Sequence, residues 1–238
     1  MTISFIIPAY NEEKYVGQCI ESILKRWHSD FLEIIIADNA STDRTGEVAA
    51  KFPHVKVVRE NRKGTNWARQ AGFAVARGDL VACLDADVQI PDGWREKVIA
   101  EFTNDPKLVS LSGPFHYYDM PPSKNFLAQT LWGIFAPPTY WIKGFMALGA
   151  NMVIRREALA SIGGFDTRIL FHGDDTDTAR RLSKVGKVKF KMSFYILGSG
   201  RRLMKDGLIK TFWAYGMNYL WAASNRGPYT KESQDAPR

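Results

Sequence analysis

The feature that most constrains this chain is an alternation running through its first 95 residues, in which short apolar runs are separated by stretches of helical period. Ile3-Ser4-Phe5-Ile6-Ile7-Pro8, Glu33 to Asp38, Val55 to Arg59 and Leu80 to Leu84 read as strands. They are nearly continuously apolar, as strands buried on both faces are. Between them, Val16, Cys19, Ile20, Ile23 and Leu24 recur at the helical period, a short helix reaches Phe52 before Pro53, and another spans about Asn66 to Arg77, closed by Gly78. Strands and helices in this order imply β-α-β crossovers and a mostly parallel central sheet flanked by helices.

The loops that leave these strands carry the chemistry. Ala9-Tyr10-Asn11-Glu12 follows the first, Asp38 ends the second, and Leu84-Asp85-Ala86-Asp87-Val88 follows the fourth. In extended backbone, residues two apart point to one side, so Asp85 and Asp87 are expected to converge. Hard carboxylate oxygens suit Mg²⁺ or Mn²⁺, particularly when substrate phosphates complete the shell. The carboxyl end of such a sheet is also where ligands bind. A strand cap beside a turn carboxylate is the plainer reading of one Asp-x-Asp; several acidic loops at one sheet edge favour a nucleotide-diphosphate and metal site. No Gly-x-Gly-x-x-Gly turn and no Gly-Lys-Ser/Thr loop is present, which weakens dinucleotide and ATPase readings.

After Pro91 the pattern loosens. A helix over about 92–102 and strands over 108–112, 151–155 and 188–194 are expected. A short helix over 157–162 and a helix running from Asp174-Asp175 toward Gly186 complete that half, followed by a helical segment over 203–223. Residues 124–149 are rich in aromatics, but Pro137-Pro138 argues against one regular helix there. Residues 226–238 read as a polar tail without a core to join.

The motifs Ile7-Pro8-Ala9-Tyr10-Asn11-Glu12-Glu13, Ile35-Ile36-Ala37-Asp38-Asn39-Ala40-Ser41-Thr42-Asp43, and Gly78-Asp79 leading to Leu84-Asp85-Ala86-Asp87 resemble family 2 glycosyltransferases, inverting enzymes of the GT-A fold. Their order and spacing carry the resemblance over residues 3–95, with weaker pieces to about 186. It implies one GT-A domain over 1–225, with a nucleotide-binding half (1–95), an acceptor-side half (96–200) and a C-terminal helical segment (201–225). It further implies that Pro8, Ala9, Tyr10, Glu12, Asp38, Gly64, Arg69 and Asp85 border the donor nucleotide. Asp87, with Asp85, would hold Mn²⁺ or Mg²⁺. Gly173-Asp174-Asp175 resembles the family's Glu-Asp pair and puts Asp175 in the position of the base, although either acid is also a helix-cap candidate. Where the family often has Arg-Asn, this chain has Arg69-Gln70. The family's closing Gln/Arg-x-x-Arg-Trp segment is absent, which leaves Arg201 and Arg202, after Gly198-Ser199-Gly200, as candidates to clamp the diphosphate or as ordinary surface cations.

Charge and composition bear on the partner. The net charge is +7, and from Arg180 to Lys210 Asp206 is the only acid, so a basic face is expected there. Together with the aromatic stretches 126–146 and 208–221, this suits an anionic membrane surface and a lipid-linked acceptor; core and dimer interface are the competing readings. No nucleic-acid motif accompanies the basic residues. No secretory leader is visible at Met1-Thr2, and no apolar run reaches the roughly 18 residues of a membrane span. Cys19 and Cys83 fit buried free thiols, and a cytoplasmic, peripherally membrane-associated location is expected. His116 and His172 lack the spacing of metal ligands. The reading is a metal-dependent transferase that takes a sugar from a nucleotide donor, uridine being the family's commonest base, and passes it to a saccharide or lipid-linked acceptor. An inactive nucleotide-sugar-binding protein is the alternative, with a basic nucleic-acid-binding domain behind it.

Overall fold

The computed structural model describes residues 1–169, 173–208, 211, 213, 214, 216, 217 and 219. His172, Lys210, Phe212, Tyr215, Leu220, Trp221 and the 226–238 tail lie outside the described residues, as does the side chain of Arg202.

Seven strands form one sheet: β1 (Ile3–Ala9), β2 (Phe31–Asp38), β3 (Val55–Arg59), β4 (Leu80–Leu84), β6 (Leu108–Ser112), β8 (Asn151–Arg155) and β9 (Lys187–Phe190). Their order is β3-β2-β1-β4-β8-β6-β9. The expected parallel half runs β3-β2-β1-β4. Only β8 runs against its neighbours, β4 and β6, while β6 and β9 are parallel. A second sheet, β5 (Val88–Gln89), β10 (Ile196–Gly198) and β7 (Phe115–Tyr117), is ordered β5-β10-β7. The helices are α1 (Val16–Leu24), α2 (Thr45–Ala49), α3 (Thr65–Val75), α4 (Trp94–Asn104), α5 (Pro122–Lys143), α6 (Arg156–Ser161), α7 (Asp174–Leu182) and α8 (Arg201–Asp206).

The alternation of the strands explains the two cores. Ile3, Phe5 and Ile7 join α1 and α4 on one face of the sheet, where Trp94 and Phe102 are buried. Ile6, Ile35, Val81 and Cys83 point to the other face, with Leu159, Ala179 and Leu182. On that second face α3 lies so close to β1 that a Cβ on Gly72 would sit 2.6 Å from Ile6 Cγ2. Cys19 and Cys83 are both buried and free, as expected.

Three expectations are corrected. Residues 122–143 form a single helix with Pro137 and Pro138 inside it. The prolines remove the donors that would serve the carbonyls of Gly133 and Ile134, both exposed residues whose carbonyls water can satisfy. The Thr139 hydroxyl donates to the carbonyls of Phe135 (2.6 Å) and Ala136 (2.9 Å), shoring up the same turn. Next, β9 ends at Phe190 rather than Phe194, because the chain turns there, with the Phe194 N–H donating to Lys191 O at 2.9 Å. Finally, the basic run is not a free face. Arg180 and Arg181 pair with Asp177, Lys187 with Asp105, and Lys189 and Lys191 with Glu101. Acids distant in sequence neutralise much of what looks, along the chain, like uncompensated charge.

Candidate active site

The carboxyl ends of β1, β2 and β4 lie side by side, with Ala9 in register with Asp38. Several hydrogen bonds hold the loop after β1 to the loop after β2. Asn11 N–H reaches Ser41 Oγ (3.1 Å), Glu12 N–H reaches Thr45 Oγ1 (2.8 Å), and Asn39 N–H reaches Ala9 O (2.8 Å). Asp38 is buried, and its carboxylate accepts from Ser41 N–H (3.0 Å) and Arg59 Nη1 (3.2 Å). Pro8 and Tyr10 are half-buried and Ala9 is buried. Lys63 Nζ approaches the Tyr10 hydroxyl at 3.2 Å. Gly64 has φ 138°, a backbone that a side chain would strain, and its N–H donates to Asn39 Oδ1 at 2.8 Å.

Asp85 and Asp87 do not continue the strand. β4 stops at Leu84, and residues 85–87 turn into β5, so the parity rule for extended backbone does not apply to them. Each carboxylate instead meets its own arginine. Arg201 Nη2 lies 2.8 Å from Asp87 Oδ2 and donates to both Glu12 carboxylate oxygens at 3.0 and 3.1 Å. Its guanidinium also stacks over the Tyr15 ring, 4.2 Å from the centroid. Burial works against its charge, but Asp87 and Glu12 hold it protonated. Arg201 is delivered there by the hinge at Gly200, whose N–H donates to Asp119 Oδ1 at 2.6 Å, while Ser199 Oγ donates to Asp119 Oδ2 at 2.5 Å. Tyr118 closes the same edge, its hydroxyl donating to the Asp87 carbonyl at 3.4 Å.

Arg69 is almost wholly buried and joins Asp174 of α7 to Asp85, 3.6 Å from Asp85 Oδ1. It stands behind the carboxylates rather than in front of them. Gln70 turns away, accepting the Phe165 N–H at 2.9 Å. Asp175 accepts Thr176 N–H (2.7 Å) through Oδ1 and Gly149 N–H (3.2 Å) through Oδ2. Burial, with the neighbouring Asp174 charge, pushes its carboxyl up to about 6 against the opposing pull of Arg69. No side chain caps α7: Gly173, at φ 83°, occupies that position, and both acids lie in the first turn. Two linked clusters result, Asp87–Arg201–Glu12 and Asp85–Arg69–Asp174 with Asp175 beside it, joined through the 85–87 turn. His116 belongs to neither; it stacks on Tyr195, and burial lowers its imidazole below the ordinary value.

Gly149 gave no signal in the sequence, where it is one more glycine after an aromatic stretch. A Cβ there would lie 2.4 Å from Arg69 Nη2, so glycine is what admits the guanidinium. Gly149→Ala should therefore destabilise the fold by about 1–3 kcal/mol. Gly133→Ala, whose Cβ meets nothing within 4 Å, should be neutral or mildly stabilising. Thermal unfolding of the two variants checks this, and equal melting temperatures would refute the packing argument. Tyr15, Tyr118 and Asp119 were likewise invisible as site residues, because only tertiary contacts bring them to Arg201 and Asp87.

The model of the family described as Glycosyl transferase family 2 matches residues 4–163. "Probable glycosyltransferase YdaM" of Bacillus subtilis is 27% identical over 201 residues, covering 77% of this chain and 47% of the relative. This chain thus spans about half the length of that relative. Among solved structures, the mannosyltransferase PcManGT of Pyrobaculum calidifontis, in complex with GDP-Man and Mn²⁺, superposes with a TM-score of 0.69 at 19% identity. That match covers 96% of this chain and 65% of the other. Glucosyl-3-phosphoglycerate synthase of Mycobacterium tuberculosis, in complex with Mn²⁺, UDP-glucose and phosphoglyceric acid, gives a TM-score of 0.61 at 22% identity over 94% and 79% of the two chains. At these identities the likeness concerns the fold, which is that of the GT-A glycosyltransferases.

Proposed function

The chain belongs to glycosyl transferase family 2, and on that premise we propose that it moves a hexosyl or N-acetylhexosaminyl group, with inversion, from a nucleotide-diphosphate sugar to a saccharide or lipid-linked hydroxyl. The observation that carries the reading is the pair of linked clusters, which gathers four aspartates, Glu12 and two buried or half-buried arginines at the carboxyl edge of the sheet. The two solved neighbours described above bind GDP-Man and UDP-glucose, each with Mn²⁺. Uridine is our first choice of base.

The donor set fits a divalent ion. Asp85 and Asp87 offer hard oxygens with 39% and 22% of their side chains exposed, and Asp87 already attracts a cation in Arg201. Among the described residues no three His, Cys, Asp or Glu side chains could hold a metal unaided, so phosphate oxygens would complete the shell. Asp87 and Asp85 would hold Mn²⁺ or Mg²⁺, and such an ion stabilises negative charge on a departing diphosphate. Pro8, Tyr10, Glu12, Asp38 and Gly64 line the proposed nucleotide side. Arg201 supplies a further positive charge to the diphosphate. Arg69, unable to reach solvent, pairs with Asp85 and Asp174 and keeps them in place.

Inversion asks for one displacement. As the acceptor oxygen bonds to the anomeric carbon, the bond to the nucleoside diphosphate breaks, its electron pair leaves with the diphosphate, and the acceptor proton passes to Asp175. A carboxylate raised to about 6 is ionised at neutral pH yet a better proton acceptor than an ordinary one.

Thermal shift against a panel of nucleotide sugars, with and without Mn²⁺, followed by transfer assays on the stabilising donors, tests the reading. If no nucleotide sugar stabilises the protein and none is consumed, it fails. Arg201→Ala should weaken donor binding about 10–100-fold, the scale of a lost hydrogen bond to a charged group. Unchanged affinity by calorimetry would remove Arg201 from the diphosphate site.

A further inference from the structure

We propose that α5 lies in the plane of an anionic lipid surface and is the face by which the protein docks there. Six of its large apolar residues are on the wrong side for a core. Phe126, Leu127, Ile134, Phe135, Trp141 and Ile142 are exposed by 75, 47, 57, 56, 78 and 79%. At the helical repeat these positions fall on one side of the helix, whereas the buried Ala128 and Ala136 fall on the other. The inward side carries Ala128 packed against Tyr117, Met120 and Leu203 at one end, and Ala136 with Trp132 and Tyr140 against Met146, Phe190 and Tyr219 at the other. The sequence expectation for this stretch divides accordingly: Phe145 and Met146 are core, and the outward residues are not.

Contiguous exposed apolar surface on this scale marks an interaction site, and charge selects the occupant. No Asp or Glu occurs between Asp119 and Glu157. Lys124, in the first turn, is exposed on the apolar side at the helical repeat and meets no carboxylate among the described residues. A second copy stacked on α5 would bring no acid from its own helix to answer this lysine. Anionic headgroups answer it, while its stem lies along the apolar boundary. The 22-residue helix is roughly 33 Å long. Among the described residues no helix is long and apolar enough to cross a membrane, so the contact is in-plane.

The face also adjoins the chemistry. α5 ends at Gly144, and five residues later Gly149 donates to Asp175. Docking through α5 would present the base to whatever hydroxyl the surface carries. The docking itself does not depend on sugar transfer, so either reading can fail alone.

Co-sedimentation of the full chain with phosphatidylcholine vesicles, with and without phosphatidylglycerol, tests the proposal. Binding is expected to the anionic vesicles only and to weaken as salt screens it. Phe135→Ser with Trp141→Ser should cut partitioning at least tenfold, and Lys124→Glu should remove the preference for anionic lipid. These side chains are solvent-facing, so far-ultraviolet dichroism and donor-induced thermal shift should match the wild type. Failure to bind either vesicle, equal binding to both, or binding that ignores the serine substitutions overturns the proposal. So does a wild-type dimer by sedimentation that those substitutions dissociate, because the face would then belong to a second copy.

Discussion

Asp175→Asn should lose sugar transfer by about 10²–10⁴-fold, the usual contribution of a general base, while binding the donor as tightly as the wild type. The loss falls on turnover because the interaction exists only as the acceptor proton moves. In the unmutated protein, transfer should fall as pH drops through about 6, where Asp175 takes up a proton. Stability moves the opposite way. The folded value lies above the ordinary 3.8, so the folded protein binds this proton more tightly than the unfolded chain does. The stabilisation it brings is complete below about 3.8 and lost as pH rises through about 6. Asparagine cannot ionise, which relieves the buried charge above pH 6, but its NH2 must face one of the two N–H groups that Asp175 accepts, so the variant should melt near the wild type while transferring almost nothing. Asp174→Asn is the control with the reverse signature: it strips buried Arg69 of a partner and should cost about 3–5 kcal/mol of stability. Normal transfer by Asp175→Asn would refute the assignment; a stable but inactive Asp174→Asn beside it would move the base to Asp174.

Asp87→Ala should abolish the Mn²⁺-dependent part of donor binding. Losing a direct ligand should cost at least about 100-fold, the upper end for residues that merely support ligands. The turn that carries Asp87 keeps its backbone bonds, including Val88 N–H to Asp85 O at 3.4 Å, and Arg201 keeps Glu12, so melting should change little. Calorimetric titration of UDP or a nucleotide sugar, with and without Mn²⁺, reads the effect without any turnover. Donor affinity that remains metal-dependent and unchanged in this variant would show that Asp87 is not a ligand.

The parallel half was legible because its strands are buried on both faces, and such strands write themselves as unbroken apolar runs like Ile34-Ile35-Ile36. The loops after β1, β2 and β4 could be aligned at one edge for the same reason. What escaped was set by contacts between distant residues. The two prolines of α5 forbid a helix only where the freed carbonyls would be buried, and the sequence does not say that Gly133 and Ile134 face solvent. The turn at Asp85 to Asp87 broke a parity argument that holds only in extended chain. The pairing of Lys189 and Lys191 with Glu101, about 90 positions earlier, took two cations out of an expected basic face. Arg69 could be picked out as a site residue, but its burial behind Asp85 depends on Gly149, whose importance is purely steric.

The reversal of β8 has an architectural consequence. Ser112, where β6 ends, pairs with Met152, near where β8 begins, and the Leu148 N–H donates to Ser112 Oγ at 2.8 Å. Everything between, including β7 and all of α5, departs from the sheet and returns to it at a single point on its rim. An excursion whose two feet are already joined behaves as a cassette: lengthening it adds little closure entropy and shifts no strand register. Because the feet stand on the edge that carries Asp85 and adjoin the Gly149 contact to Asp175, exchanging α5 alone would change what that edge faces while Tyr118 and Asp119, which reach Asp87 and the Ser199-Gly200 turn, stay in place.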